Sequence, residues 1–306
     1  MTKQRTISNE ISCRGIGLHT GLPVLVKFMP AAENTGIVFR RVDLDPVVDV
    51  AADVWNVGDT RLSTCLIKDG VRVATIEHLM SAISALGIDN LLISLNAAEV
   101  PIMDGSAAPF IFLLQSAGIV LQKELKRFIR VTKKVSVTGE HGEYSCFEPS
   151  DKSKFNISME FTHPHKCFST DNCGLGFELS SVAFQKEISR ARTFGFLHQY
   201  EELRRNNLAL GGGLHNAIVF NDYDVMNKEN LRFPNEPLRH KLLDVIGDIY
   251  LAGCPIVGEF TGHKTGHFMN NKLLRKLINT VDAWENVNYK ESVDMPILFE
   301  SNMITA

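Results

Sequence analysis

Apolar positions along the chain follow two rhythms: every second residue, as in half-buried strands, and every third or fourth, as on the packed face of helices. Residues 5–30 read as a hairpin that passes through Gly15-Ile16-Gly17-Leu18-His19-Thr20-Gly21 into the alternating Val24-Leu25-Val26-Lys27-Phe28. Ile37-Val38-Phe39-Arg40 is a further short strand, and the irregular stretch 43–63 reads as an inserted loop region. Strands at 64–67 and 71–73 flank Lys68-Asp69-Gly70, whose Asp-Gly pair predicts a hairpin turn. In 75–87 the rhythm turns helical: Ile76, Leu79, Met80, Ile83 and Leu86 form one stripe and Gly87 supplies a C-cap. A strand at 91–95, a turn at 100–106 and a helix over 107–117 follow.

Polar 122–127 reads as a linker, after which the plan restarts. Strands are expected at 128–131, 135–137, 155–159 and 217–220, with a helix capped by Ser181 and reaching about Arg190, and another over 200–206. A second strongly periodic helix carries Leu242, Val245, Ile246 and Ile249 on its apolar stripe.

The faces opposite those two stripes hold the candidate chemistry. At 3.6 residues per turn, His240, Asp244 and Asp248 fall within an arc of about 80°. His78 points away from its own stripe, beside the small Ala82 and Ala85, where a neighbouring element can come close. Adding 162 to the numbers of the first half places His78 on His240, and the strand, turn and helix that follow fall close to their counterparts. The expectation is one α+β unit used twice, over 1–125 with an insert near 43–63 and over 126–306 with an insert near 194–220. If the copies pack about a pseudo-twofold axis, His78, His240 and Asp244 converge as an open three-ligand zinc site. An isolated His-x-x-x-Asp is usually just a solvated polar face; the second helix is what changes the odds. Glu77, beside His78, is placed to take a proton from an attacking water, although a first-turn carboxylate also favours the helix dipole without any catalytic part. Asp248 can orient His267, and an imidazole held protonated in that way stabilises an oxyanion or donates to a leaving amine.

Composition narrows the class. At 306 residues, 44% apolar and 22% charged, the chain can bury a sizeable core and two domains are expected. A net charge of −3 with no long basic run argues against nucleic acid as a partner. The N-terminus lacks the apolar region of a secretion signal, and no stretch approaches the ~20 apolar residues of a membrane span. Six cysteines without a Cys-x-x-Cys pair point to reduced thiols in the cytoplasm. His19 either touches a ligand or tethers its glycine-rich turn.

Four blocks carry a specific resemblance: Thr75-Ile76-Glu77-His78-Leu79, Pro101-Ile102-Met103-Asp104-Gly105-Ser106-Ala107, Ile188-Ser189-Arg190-Ala191-Arg192-Thr193-Phe194-Gly195-Phe196 and His240-Lys241-Leu242-Leu243-Asp244-Val245-Ile246-Gly247-Asp248. They resemble the UDP-3-O-acyl-N-acetylglucosamine deacetylase family, and the similarity spans nearly the whole chain. The resemblance implies two α+β domains whose helix layers meet between the sheets as a sandwich. It implies removal of acetate from the sugar nitrogen in lipid A synthesis, by zinc, with ferrous iron as the alternative in the cell, held by His78, His240 and Asp244. It further implies Glu77 as general base, His267 paired with Asp248 as a cationic histidine, Thr193 at the oxyanion and Lys241 near the sugar-nucleotide. Phe194, Gly195 and Phe196 match the start of an insert forming a passage for the fatty-acyl chain, with Leu18 touching the same region, and Phe161 matches an aromatic that stacks on uracil. Gln199 departs from the family pattern, which carries aspartate there, so no ionic role transfers to it. The implied protein is a cytoplasmic monomer with no transmembrane segment and transient contact with the membrane surface.

Overall fold

The computed structural model describes residues 2–169, 171, 173–290 and 295–299. The first half runs β1 (Lys3–Ile7), β2 (Ile11–Ile16), β3 (Pro23–Pro30), β4 (Ile37–Arg41), β5 (Val48–Ala51), β6 (Val57–Asp59), β7 (Cys65–Lys68), β8 (Val71–Val73), α1 (Glu77–Leu86), β9 (Leu91–Leu95), α2 (Ala108–Ser116) and β10 (Ile119–Leu125). Its main sheet has the order β2-β3-β9-β4-β5. All neighbours in it are antiparallel except β9 and β4. Period-two alternation aims each strand: Val24, Val26 and Phe28 of β3 are buried while Pro23 and Leu25 are exposed.

The second half runs β11 (Phe128–Val131), β12 (Val135–Thr138), β13 (Tyr144–Glu148), β14 (Ser153–Ser158), β15 (Gly174–Glu178), α3 (Ser181–Glu187), β16 (Phe194–Phe196), α4 (Leu197–Arg205), β17 (Ile218–Phe220), α5 (Glu236–Ile249), β18 (Ile256–His263), α6 (His267–Asn279) and β19 (Trp284–Val287). Here β12, β13, β18, β14 and β15 pair in the same order and with the same directions as the five strands of the first sheet. β11 and β19 extend this sheet, β6-β7-β8 form a small sheet, β16 and β17 a parallel ribbon, and β1 pairs with β10.

The helices hold the centre. Every residue of α1 is buried, polar face included, and α5 is buried along nearly its whole length. The two pack so closely that a Cβ added to Gly247 would lie 2.1 Å from the carbonyl oxygen of Glu77. Glycine is what permits that approach. Gly87 closes α1 in the left-handed conformation, with φ 65°, as the sequence predicts. Buried apolar residues of both halves form one continuous cluster. Among the described residues no helix is long and apolar enough to cross a membrane.

Several local expectations are corrected. The stretch 43–63 is not all loop: β5 completes the main sheet with Val50 wholly buried, and β6 opens the small sheet. Short edge strands with one buried residue leave little pattern to read. Residues 122–125 are strand rather than linker, with only one face of β10 covered, and the Lys126 that follows is fully buried with Nζ 2.6 Å from Asp89. The cap of α3 is Ser180, which accepts from Ala183 N–H, and the helix ends at Glu187. Ser181 instead donates its hydroxyl to the carbonyl of Ala85 on α1. α4 begins at Leu197 rather than Tyr200, and His267 is the first residue of α6.

Candidate metal centre and its cleft

The first turn of α1 carries Glu77 and His78, and α5 carries His240, Asp244 and Asp248 on successive turns. The packing of the two helices brings one donor atom each from His78, His240 and Asp244 within 4.8 Å of one another. Asp244 Oδ1 lies 3.6 Å from His78 Nε2 and 3.4 Å from His240 Nε2, beyond hydrogen-bond length in both directions. That oxygen is buried with no hydrogen-bond partner, a costly state unless something else satisfies it. Two imidazoles and a carboxylate around an unsatisfied oxygen fit a divalent cation with one coordination position open.

The surroundings prepare these donors. His240 Nδ1 is 3.0 Å from the carbonyl of Ala191, a contact that fixes the ring with its Nδ1 proton outward and Nε2 toward the centre. Ala191 is held in turn by Arg192, whose buried guanidinium bonds to Glu236 at the start of α5 (2.9 Å) and to Glu229 (2.8 Å). Burial, then the neighbouring His240, pushes the His78 imidazole down to about 3, and burial also lowers His240, so both stay neutral and free to donate lone pairs. Burial alone would raise Asp244, yet His240 and Lys241 hold it below the usual carboxylate range. The Lys241 ammonium is 3.3 Å from Asp244 Oδ2.

Beside the triad stands a second pair. Burial pushes the Glu77 carboxyl up to about 8, against the pull of His267 and with the push of Asp244 and Asp248. Its Oε2 accepts the backbone N–H of Thr64 at 3.0 Å. His267 opens α6 with Nδ1 2.8 Å from Asp248 Oδ2, which also accepts from Asn270 at 2.8 Å. Burial would lower His267, but the Asp248 charge and hydrogen bond, followed by Glu77 and Asp244, carry it up to about 9. At neutral pH this imidazole is a cation.

Of the residues singled out in the sequence, Leu18, Glu77, His78, Thr193, Phe194, Gly195, Phe196, His240, Lys241, Asp244 and His267 line a single cavity of about 460 Å³. Asp248 lies behind His267. An adjoining apolar cavity of about 330 Å³ shares Leu18, Thr193 and residues 194–196 with it and is further lined by Leu203, Leu214 and Val219. Gly195 has nothing within 4 Å of a would-be Cβ, so any side chain there would enter open space. Phe161 lines neither cavity; its ring packs 4.5 Å from Phe168 and 5.9 Å from Phe194. Gln199 lines the larger cavity and His19 the smaller. His19 also anchors its turn, since its backbone N–H and the N–H and hydroxyl of Thr20 converge on the wholly buried Glu99.

Sequence reasoning missed Thr64, Asn270, Glu236 and Lys264, the last a second ammonium lining the larger cavity. Arg192, the partner of Glu236, lay inside a quoted block, but spacing alone gives no partner for it or for Asn270. Thr64 read only as the first residue of a strand.

Comparison with known proteins agrees along the chain. Residues 4–279 match the family model described as UDP-3-O-acyl N-acetylglycosamine deacetylase. The chain is similar to the UDP-3-O-acyl-N-acetylglucosamine deacetylase of Nitrosococcus oceani, 52% identical with both chains covered in full. It is also similar to the proteins of that name from Marinobacter nauticus, 51% identical with full coverage of both, and Cellvibrio japonicus, 50% identical over 97% of each.

Proposed function

The chain belongs to the UDP-3-O-acyl N-acetylglycosamine deacetylase family of amide-cleaving hydrolases, and from that premise we propose that it hydrolyses the acetamide of UDP-3-O-acyl-N-acetylglucosamine, with zinc or ferrous iron as cofactor, in lipid A biosynthesis. The observation that carries the reading is the buried Asp244 Oδ1, unpartnered between two neutral imidazoles and next to a carboxyl of raised pKa.

His78, His240 and Asp244 would hold the ion. When bound, such an ion supplies Lewis-acid polarisation of the amide carbonyl and of water. Glu77 takes the proton of the attacking water as its oxygen bonds to the carbonyl carbon. A pKa near neutrality suits that exchange, and a nearby cation draws it lower. The carbonyl electrons move onto oxygen, where the Thr193 hydroxyl and the His267 cation face the developing charge. Thr193 is pinned by backbone bonds on both sides, donating to Gly105 O at 2.8 Å and accepting from Ile218 N–H at 2.8 Å, which leaves its side chain to the cavity. Collapse breaks the C–N bond, and the departing amine takes a proton from Glu77 or His267, giving acetate and a free 2-amino sugar.

Lys241, and the aromatic cluster that includes Phe161, offer a diphosphate and a uracil their complements. The apolar cavity behind Phe194 and Phe196 fits an acyl chain. The cysteines, all free among the described residues, support a cytoplasmic location; a monomer in transient contact with the membrane surface, to reach a lipid-tailed substrate, completes the reading.

The test is acetate release from the acylated sugar-nucleotide by protein of measured metal content. Expected are stoichiometric acetate and amine, loss on chelation and recovery with zinc or ferrous iron. A metal-loaded protein that releases no acetate refutes the reading.

A further inference from the structure

Thr64 is 2% exposed and lies directly before β7. Three of its polar groups are engaged, and they face two different halves of the molecule. Its carbonyl accepts from Ile76 N–H at the start of α1 (3.4 Å), and its own N–H donates to Glu77 Oε2 (3.0 Å). Its hydroxyl crosses to α5 and donates to Asp248 Oδ1 at 2.5 Å. Asp248 Oδ2 is already shared by His267 and Asn270. A carboxylate gripped at one oxygen can still pivot; gripped at both, it cannot.

Resting on the deacetylase reading, we infer that Thr64 is a positioning residue: it fixes Glu77 by its N–H and, through Asp248, His267 by its hydroxyl, so the proton acceptor and the imidazole keep one separation across the junction of the halves. A buried threonine that merely satisfied its own polar groups could bond anywhere nearby. This one bonds to the base on one helix and to the carboxylate partner of the imidazole on another. The metal ligands are not among its partners, so its loss acts on turnover rather than on metal binding.

The experiment compares Thr64→Val, which keeps shape and N–H but removes the hydroxyl, with Thr64→Ser, which keeps the hydroxyl. Removing a hydrogen bond to a buried charged group is expected to lower kcat roughly 10- to 100-fold in Thr64→Val. KM and zinc stoichiometry stay at parental levels, and Thr64→Ser recovers to within about threefold. If Thr64→Val does not accumulate folded, Thr64→Ala takes its place. An activity-independent arm follows the downfield proton resonance of His267 Nδ1 by NMR: it should move or broaden without the hydroxyl and persist in Thr64→Ser. Parental kcat in Thr64→Val with an unmoved resonance overturns the inference, as does a Thr64→Ser as impaired as Thr64→Val. Absence of acetate release by the parent would instead strike the deacetylase reading, with the resonance still reporting on Thr64.

Discussion

Replacing Gly247 by alanine tests whether the contact between α1 and α5 is what assembles the site. The new methyl would lie 2.1 Å from the Glu77 carbonyl oxygen, 2.9 Å from its carbon and 3.0 Å from the Ser81 nitrogen, all backbone atoms that cannot swing aside. Ordinary contact needs about 3.5 Å, so the helices must part by roughly 1.4 Å. Overpacking of this kind costs about 1–3 kcal/mol of stability. The effect on the site is larger, because His78 rides on one helix and His240 and Asp244 on the other. Ligand distances tolerate only about 0.2 Å, and misplacing reacting groups by 1 Å costs on the order of 100-fold in rate. Gly247→Ala is therefore expected to weaken zinc affinity and lower turnover together, with a modest fall in Tm. Gly174→Ala, at a position with nothing within 4 Å of its Cβ, serves as control. Calorimetric zinc titration and acetate release read both. Parental zinc affinity and turnover in Gly247→Ala would refute the reasoning.

Other outcomes follow from the same geometry. Glu77→Ala should keep its zinc and lose turnover by a factor of roughly 100 or more, while His240→Ala loses the metal itself; metal analysis beside kinetics separates the two. Because Asp248 carries His267 up to about 9, the stabilisation from its charged form is complete below the unfolded value near 6.5 and is lost as pH rises through about 9. The alkaline limb of the kcat/KM profile should fall there and move to lower pH in Asp248→Asn, and an unmoved limb would count against the pairing. Glu236→Ala removes the buried partner of Arg192 and leaves it only the more exposed Glu229, so unfolding should become easier by roughly 1.5–3 kcal/mol in denaturant titrations, and an unchanged stability would contradict the assigned pairing.

Long periodic elements were legible in the sequence because their residues are aligned by one period. Ile76, Leu79 and Ile83 announce α1, and Leu242, Val245 and Ile246 announce α5. The polar residues left on their far faces pointed to the cluster that the coordinates bring together. What stayed hidden depends on partners distant in sequence. Lys126 looks like a linker residue until Asp89 is seen beside it, and nothing in the spacing joins Thr64 to Asp248, 184 positions away. The period-two strands β13 and β15 escaped because their alternation is broken by Cys146 and by the glycines of 174–178. α1 reads as amphipathic, yet both its faces are buried, since its polar side meets another helix rather than water.

The carbonyl that steers His240 belongs to Ala191, only three residues ahead of Phe194, where the apolar cavity begins. A tail too bulky for that cavity would strain the strand end at Phe194 and, through the short tether, tilt the imidazole. Under the deacetylase reading, rejection of an ill-fitting substrate would then be felt as a loosened ion as well as a steric clash, and the grip on the cation would gauge how well a lipid tail is seated.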